Sequence, residues 1–164
     1  MELIKDLNQV DAWRKLYGKL SPRLKDQELI LRFLAFFVSS EEYARPMNEF
    51  INKFTAKHRN DKTSTLDQWG ALFKDCISLV SDNIGKSAFR PETTINAAVF
   101  DSVMVGLGVR LAHGPIKDKS GLKKSYSDLL ANTRYQAIVS RSTADEKFVA
   151  ERIDMATKAF ARLK

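Results

Sequence analysis

The amino-acid sequence predicts an all-α fold: one compact domain over residues 1–164, with about six to eight helices around a central apolar helix near 97–112. Three observations carry this. Apolar residues recur at spacings of three and four through most of the chain, and no stretch alternates with period two for long enough to argue a strand. Ser, Asp, Gly and Pro stand between these segments, where helices would start and stop. A chain of 164 residues buries roughly two thirds of the surface its unfolded form exposes, so one core suffices. With 44% hydrophobic and 29% charged residues, seven Gly and four Pro, the composition is that of an ordinary globular domain.

Taken in order, Leu7, Val10, Trp13, Leu16 and Tyr17 predict a short helix over 8–18, with Asn8 or Asp11 as its cap. After Ser21-Pro22, the apolar face of Leu29, Ile30, Phe33, Leu34 and Phe37 predicts a helix over 23–38. Pro46 then precedes Met47, Phe50, Ile51 and Phe54 at the same period. Ser64 and Asp67 form a capping-box-like pair ahead of Leu66, Trp69, Phe73, Cys76, Val80 and Ile84, which predict a helix over 65–84 stopped by Gly85.

Segment NAAVFDSVMVGLGVRLA is apolar nearly all round, as befits a helix enclosed by its neighbours. Gly106 and Gly108 lower its helix propensity, which predicts another helix crossing at short distance. Asp101 within it is a candidate buried carboxylate that needs a partner such as an arginine. Amphipathic pieces over 119–131 and 133–139 follow. A last helix, starting at Ser142 or Thr143, carries Val149, Ile153, Ala156, Phe160 and Leu163.

No apolar run approaches the roughly 18–20 residues that cross a bilayer, and the opening MELIKDLNQVDAW lacks the pattern of a signal peptide, so a cytoplasmic protein is expected. One cysteine, Cys76, excludes an internal disulfide and a multi-cysteine metal site; its spacing to Phe73 and Val80 makes it a buried thiol. The two histidines, His58 and His113, have no second ligand at metal-binding spacing, and His58 reads as a solvated side chain. The glycines of VGLGVR lie within a helix, so the nucleotide fingerprint lacks its context. No metal, cofactor or catalytic residue is therefore assigned. Arg110 and His113, three apart before Gly114-Pro115, are the one pair that a small helical nuclease could use, set against a histidine interacting with a helix C-terminus.

Charge is the remaining signal. The net charge is +7, with 12 basic against 9 acidic groups in 1–62, 4 against 5 in 63–116 and 11 against 6 in 117–164. Arg14, Lys15, Lys19, Arg23 and Lys25 occur with no acid between them, and Lys117, Lys119, Lys123 and Lys124 form a second group with Asp118 among them. These nine are candidate contacts to a nucleic-acid backbone; two ordinary solvated faces account for them equally well.

In order and spacing, DQELILRFLAFF, EEYARPMNEFINKF, AFRPETTINAAVFDSVMVGL and SRSTADEKFVAERI resemble the C-terminal helical portion of the bacterial family typified by the ParB-like N-terminal subunit of GmrSD-type modification-dependent restriction systems. The resemblance runs from about Leu7 to Phe160, and its matching positions are Arg32, Tyr43, Phe89, Arg90, Asn96, Asp101, Arg141, Ser142 and Thr143. The Asp-Gly-Gln-Gln-Arg motif of the family's enzymatic domain has no counterpart here, so no activity is implied for this chain. What the resemblance implies is a non-catalytic helical module of a restriction or anti-phage defence protein that supports a ParB-like nuclease or NTPase domain. DNA contact through the basic clusters would add to that role. A stand-alone protein-interaction module docking on a full-length family member is the alternative.

Overall fold

The computed structural model describes residues 2–164 and is all-helical, with no strand among them. Nine α-helices follow in order: α1 (Glu2–Asn8), α2 (Asp11–Tyr17), α3 (Lys25–Ser39), α4 (Met47–Lys57), α5 (Thr63–Asn83), α6 (Ala97–Leu111), α7 (Lys119–Ala131), α8 (Thr133–Ser140) and α9 (Glu146–Phe160). A 3-10 turn, Ser40–Glu42, joins α3 to the segment before α4. No helix among the described residues is long and apolar enough to cross a membrane.

Helix α6 is the centre, as its all-round apolar sequence requires: every residue from Ala98 to Gly108 is buried. It packs most extensively against α9 and α3, and also against α5 and α8. At Gly106 a Cβ would lie 2.8 Å from the backbone carbon of Ala156, and at Gly108 one would lie 3.1 Å from the Phe37 ring. The two glycines thus permit the close crossing that their low helix propensity implies. Cys76 is fully buried on the facing side of α5.

Three boundaries differ from the sequence reading. The predicted 8–18 helix is α2, over Asp11–Tyr17, and a separate helix α1 over Glu2–Asn8 precedes it; neither Asn8 nor Asp11 caps α2, whose N-cap is Val10 with no side-chain bond. Asn8 is buried and its amide is consumed elsewhere: its Nδ2 donates to Asp26 Oδ2 at 3.1 Å, and its Oδ1 accepts from Trp13 Nε1 at 3.0 Å. Helix α5 begins earlier than Ser64, behind Lys62 and without a side-chain cap, so the Ser64–Asp67 box does not form. Helix α9 begins at Glu146, where Asp145 accepts from the amides of Lys147 and Phe148, and not at Ser142 or Thr143. Ser142 adopts φ 47, a left-handed geometry incompatible with the first turn of a helix.

Phe100 joins these layers, with its ring 5.4 Å from that of Trp13 on α2 and 4.9 Å from that of Phe89. Phe100→Ala should therefore lower the unfolding free energy by about 3–5 kcal/mol in urea denaturation. Gly106→Ala should cost about 1–3 kcal/mol by forcing α9 away, an overpacking effect. A melting temperature unchanged in both variants would show that α6 is not the centre.

Candidate functional site

The polar ties of the molecule gather at two places: a buried charge centre where α3, α6 and α9 meet, and the corner joining α2 to α3.

At the first, Asp101 is fully buried and Arg32 reaches it from α3, with Nε to Oδ1 at 3.1 Å and Nη2 to Oδ2 at 2.5 Å. Arg152 of α9, itself fully buried, lies 3.5 Å from the same Oδ2 and donates through Nη1 to the Thr143 carbonyl at 2.7 Å. Burial works against both guanidinium charges. Asp101 outweighs it for Arg32, whose pKa is raised; Arg152 faces the like charge of Arg32 as well, and its pKa is lowered. Around this centre, Tyr43 donates to the Ala144 carbonyl at 2.9 Å, and the hydroxyls of Ser102 and Tyr135 share a 2.7 Å bond. Burial, its largest cause, pushes the Tyr135 hydroxyl pKa up. The arrangement ties α3, α6, α9 and the 140–145 turn to one another through a single carboxylate held by two arginines.

Most of the nine positions on which the sequence resemblance rests belong to such ties. Besides Arg32, Tyr43, Asp101 and Thr143, Asn96 caps α6 by accepting from Ala98 and Val99 and donates to the Val139 carbonyl at 2.8 Å. Arg90 caps the end of α2, donating to the carbonyls of Leu16 at 2.7 Å and Tyr17 at 3.1 Å. Phe89 is core, while Arg141 and Ser142 are exposed.

At the second place, Asp26 is 1% exposed and accepts from Asn8, from Arg14 Nη1 at 3.1 Å, and from the Ser21 amide at 3.2 Å. Burial alone would raise its pKa. The bonds from Asn8, Ser21 and Gln27, together with the Arg14 charge, overcome that and hold it below the usual carboxylate range. Arg14 is thereby turned inward, also bonding Asn8 Oδ1 at 2.9 Å and lying over the Trp13 and Tyr17 rings. Of the first basic group, Lys15, Lys19 and Arg23 stand exposed with no carboxylate in ion-pair distance among the described residues, and Lys25 pairs with Glu28 at 2.6 Å.

The second basic group is more compensated. Lys124 pairs with Asp128 at 2.6 Å, and Lys119 borders a cleft of about 510 Å³ that also contains Asp75 and Asp82. Lys117 and Lys123 are exposed, and Asp118 caps α7 by accepting from the Gly121 amide at 2.8 Å.

His58 is not the solvated side chain its sequence setting suggests. Its Nδ1 lies 2.7 Å from Asp61 Oδ2, and its ring packs 4.6 Å from Phe54 and 5.1 Å from Trp69. Arg110 and His113 border one small cleft of about 360 Å³, but the Arg110 guanidinium is bound to the carbonyls of Leu163 at 2.7 Å and Gly114 at 2.9 Å, fastening the end of α6 to the chain's last turn. Among the described residues no three His, Cys, Asp or Glu side chains are placed to hold a metal ion.

Two expected outcomes follow from these geometries. Asp101→Ala leaves the buried Arg152 and the largely covered Arg32 without a counter-charge and should cost about 3–5 kcal/mol in denaturant unfolding. Because the Asp26 pKa is depressed on folding, its contribution is complete above its unfolded value of about 4 and is lost as pH falls through the folded value. Asp26→Asn should accordingly be less stable at pH 7 and lose less further stability on acidification from pH 4 than the parent chain.

Searched against family models, curated proteins and solved structures, the chain matches none of them.

Proposed function

We propose that this chain is a non-catalytic helical module that contacts the DNA backbone through the α2–α3 corner. The setting is the one its family resemblance implies, the helical portion of a restriction or anti-phage defence protein that supports a ParB-like nuclease or NTPase domain. One observation supports the DNA contact most: at this corner Asp26 is buried and paired with Arg14 and Glu28 is paired with Lys25, while Lys15, Lys19 and Arg23 stand exposed with no carboxylate in ion-pair distance among the described residues. Lys15, Lys19 and Arg23 are therefore left to set the outward potential. Positive charge without local compensation attracts a polyanion, and each phosphate neutralised releases counterions. Lys117 and Lys123, on α7 and its leading loop, are the further exposed cations of the second basic group. Arg14, Lys25 and Lys124 serve the DNA contact less directly, since each is paired with a carboxylate, and Lys119 borders a cleft that also contains Asp75 and Asp82.

The test is binding to a fluorescent duplex across a salt series. Three phosphate contacts give a log–log slope of about −2.7, and replacing any one of Lys15, Lys19 or Arg23 by Ala should reduce its magnitude by about 1. A duplex affinity unmoved by the triple replacement, or absent at low salt, would refute the reading.

A further inference from the structure

The α2–α3 corner carries a feature that phosphate contact alone does not use. Leu20 and Leu24 are 58% and 59% exposed, the two large apolar side chains standing in solvent among the described residues. They alternate with cations along Lys19-Leu20-Ser21-Pro22-Arg23-Leu24-Lys25. Leu24 sits at φ 55, a left-handed geometry in which a leucine is rare and which Gly or Asn would adopt with less strain. The left-handed backbone at Leu24 is a local cost, and the side chain it carries is left largely in solvent.

The corner is also mounted rigidly. The Leu24 amide donates to the Ser21 carbonyl at 3.0 Å, the Lys25 amide donates to Ser21 Oγ at 3.2 Å, and Asp26 receives the Ser21 amide. On the other side, Arg90 grips the last carbonyls of α2, and the Gly18 amide donates to the Arg14 carbonyl at 2.8 Å. The leucines therefore project from a fixed frame.

Resting on the DNA-contact reading above, we infer that this corner is a minor-groove wedge: Leu20 and Leu24 press between base pairs and partly unstack them, while Lys15, Lys19 and Arg23 hold the flanking phosphates. Apolar side chains framed by Lys and Arg are the side-chain chemistry that wedging into the narrow minor groove requires, and the kink this produces brings more backbone against the protein. The ligand favoured is a duplex with a flexible pyrimidine–purine step such as TA, where unstacking is least costly. An anionic lipid surface shares the charge preference. Two leucines, however, bury less than a single acyl chain, which alone binds membranes marginally, and fluid lipid has no use for a rigid mount.

The full chain is titrated into a duplex carrying 2-aminopurine beside a central TA step, with end-placed donor and acceptor dyes on a second copy, and in parallel into phosphatidylserine-containing vesicles. Binding should raise the 2-aminopurine emission and shorten the end-to-end distance. Leu20→Ser with Leu24→Ser should abolish both signals and weaken binding several-fold while keeping the salt slope, and Lys19→Ala with Arg23→Ala should reduce the slope itself. Melting curves establish that these surface variants remain folded. DNA binding with no rise in emission, or a rise that survives the leucine changes, overturns the wedge and leaves the DNA-contact reading standing. An absence of duplex binding overturns both, and leucine-dependent vesicle binding without duplex distortion overturns the wedge in favour of a lipid surface.

Discussion

The Asp101 carboxylate imposes the constraint from which the rest of the fold follows. It lies in the middle of a helix that is otherwise apolar on every side, and an isolated charge there would be prohibitively costly. Arg32 and Arg152 reach it from the two helices that pack most closely on α6, so the same pairing that neutralises the carboxylate fixes how α3 and α9 lie across it. Gly106 and Gly108 give those helices room to approach. One carboxylate facing two guanidinium groups leaves a surplus of positive charge, and the carbonyl of Thr143 takes up part of the Arg152 donor capacity. Specificity of helix placement is the evident return on a bridge that contributes little net stability by itself.

A smaller version of the same logic organises the α2–α3 corner. Asp26 is buried, satisfied by Asn8, Arg14 and the Ser21 amide, and thereby removed from the outer surface. The corner acquires its shape from the carboxylate and its outward potential from the loss of that carboxylate as a counter-ion. Packing and electrostatics thus have one source here. The link from sequence to the proposed function runs through Asn8, Arg14 and Asp26, none of which is itself an exposed contact.

Much of this was legible in the residue pattern. The enclosed character of α6, the partner that Asp101 needs and the close crossing at its glycines all follow from apolar periodicity broken at particular positions. Helix boundaries were less legible. Asn8, Ser64, Ser142 and Thr143 have the chemistry of caps, but a side chain engaged elsewhere, as Asn8 is by Asp26 and Trp13, cannot also serve its own helix. The basic clusters were visible as composition, whereas their division into inward, paired and unpaired members depends on side-chain contacts: Arg14 meets Asp26, Lys25 meets Glu28 and Lys124 meets Asp128. The exposure of Leu20 and Leu24 was hidden for a similar reason. Leu20 lies between the two predicted helices and Leu24 near the start of the second, and their exposure depends on the Ser21-centred turn and the left-handed Leu24.

The central claim, that the α2–α3 corner is the surface that meets DNA, is tested most directly by following backbone amide resonances during titration with a short duplex. The account predicts that shifts and broadening concentrate at residues 15–25, with smaller changes near Lys117 and Lys123, while amides of α9 and the buried stretch of α6 remain still. Perturbations centred on another face, with residues 15–25 unmoved at saturation, would contradict it.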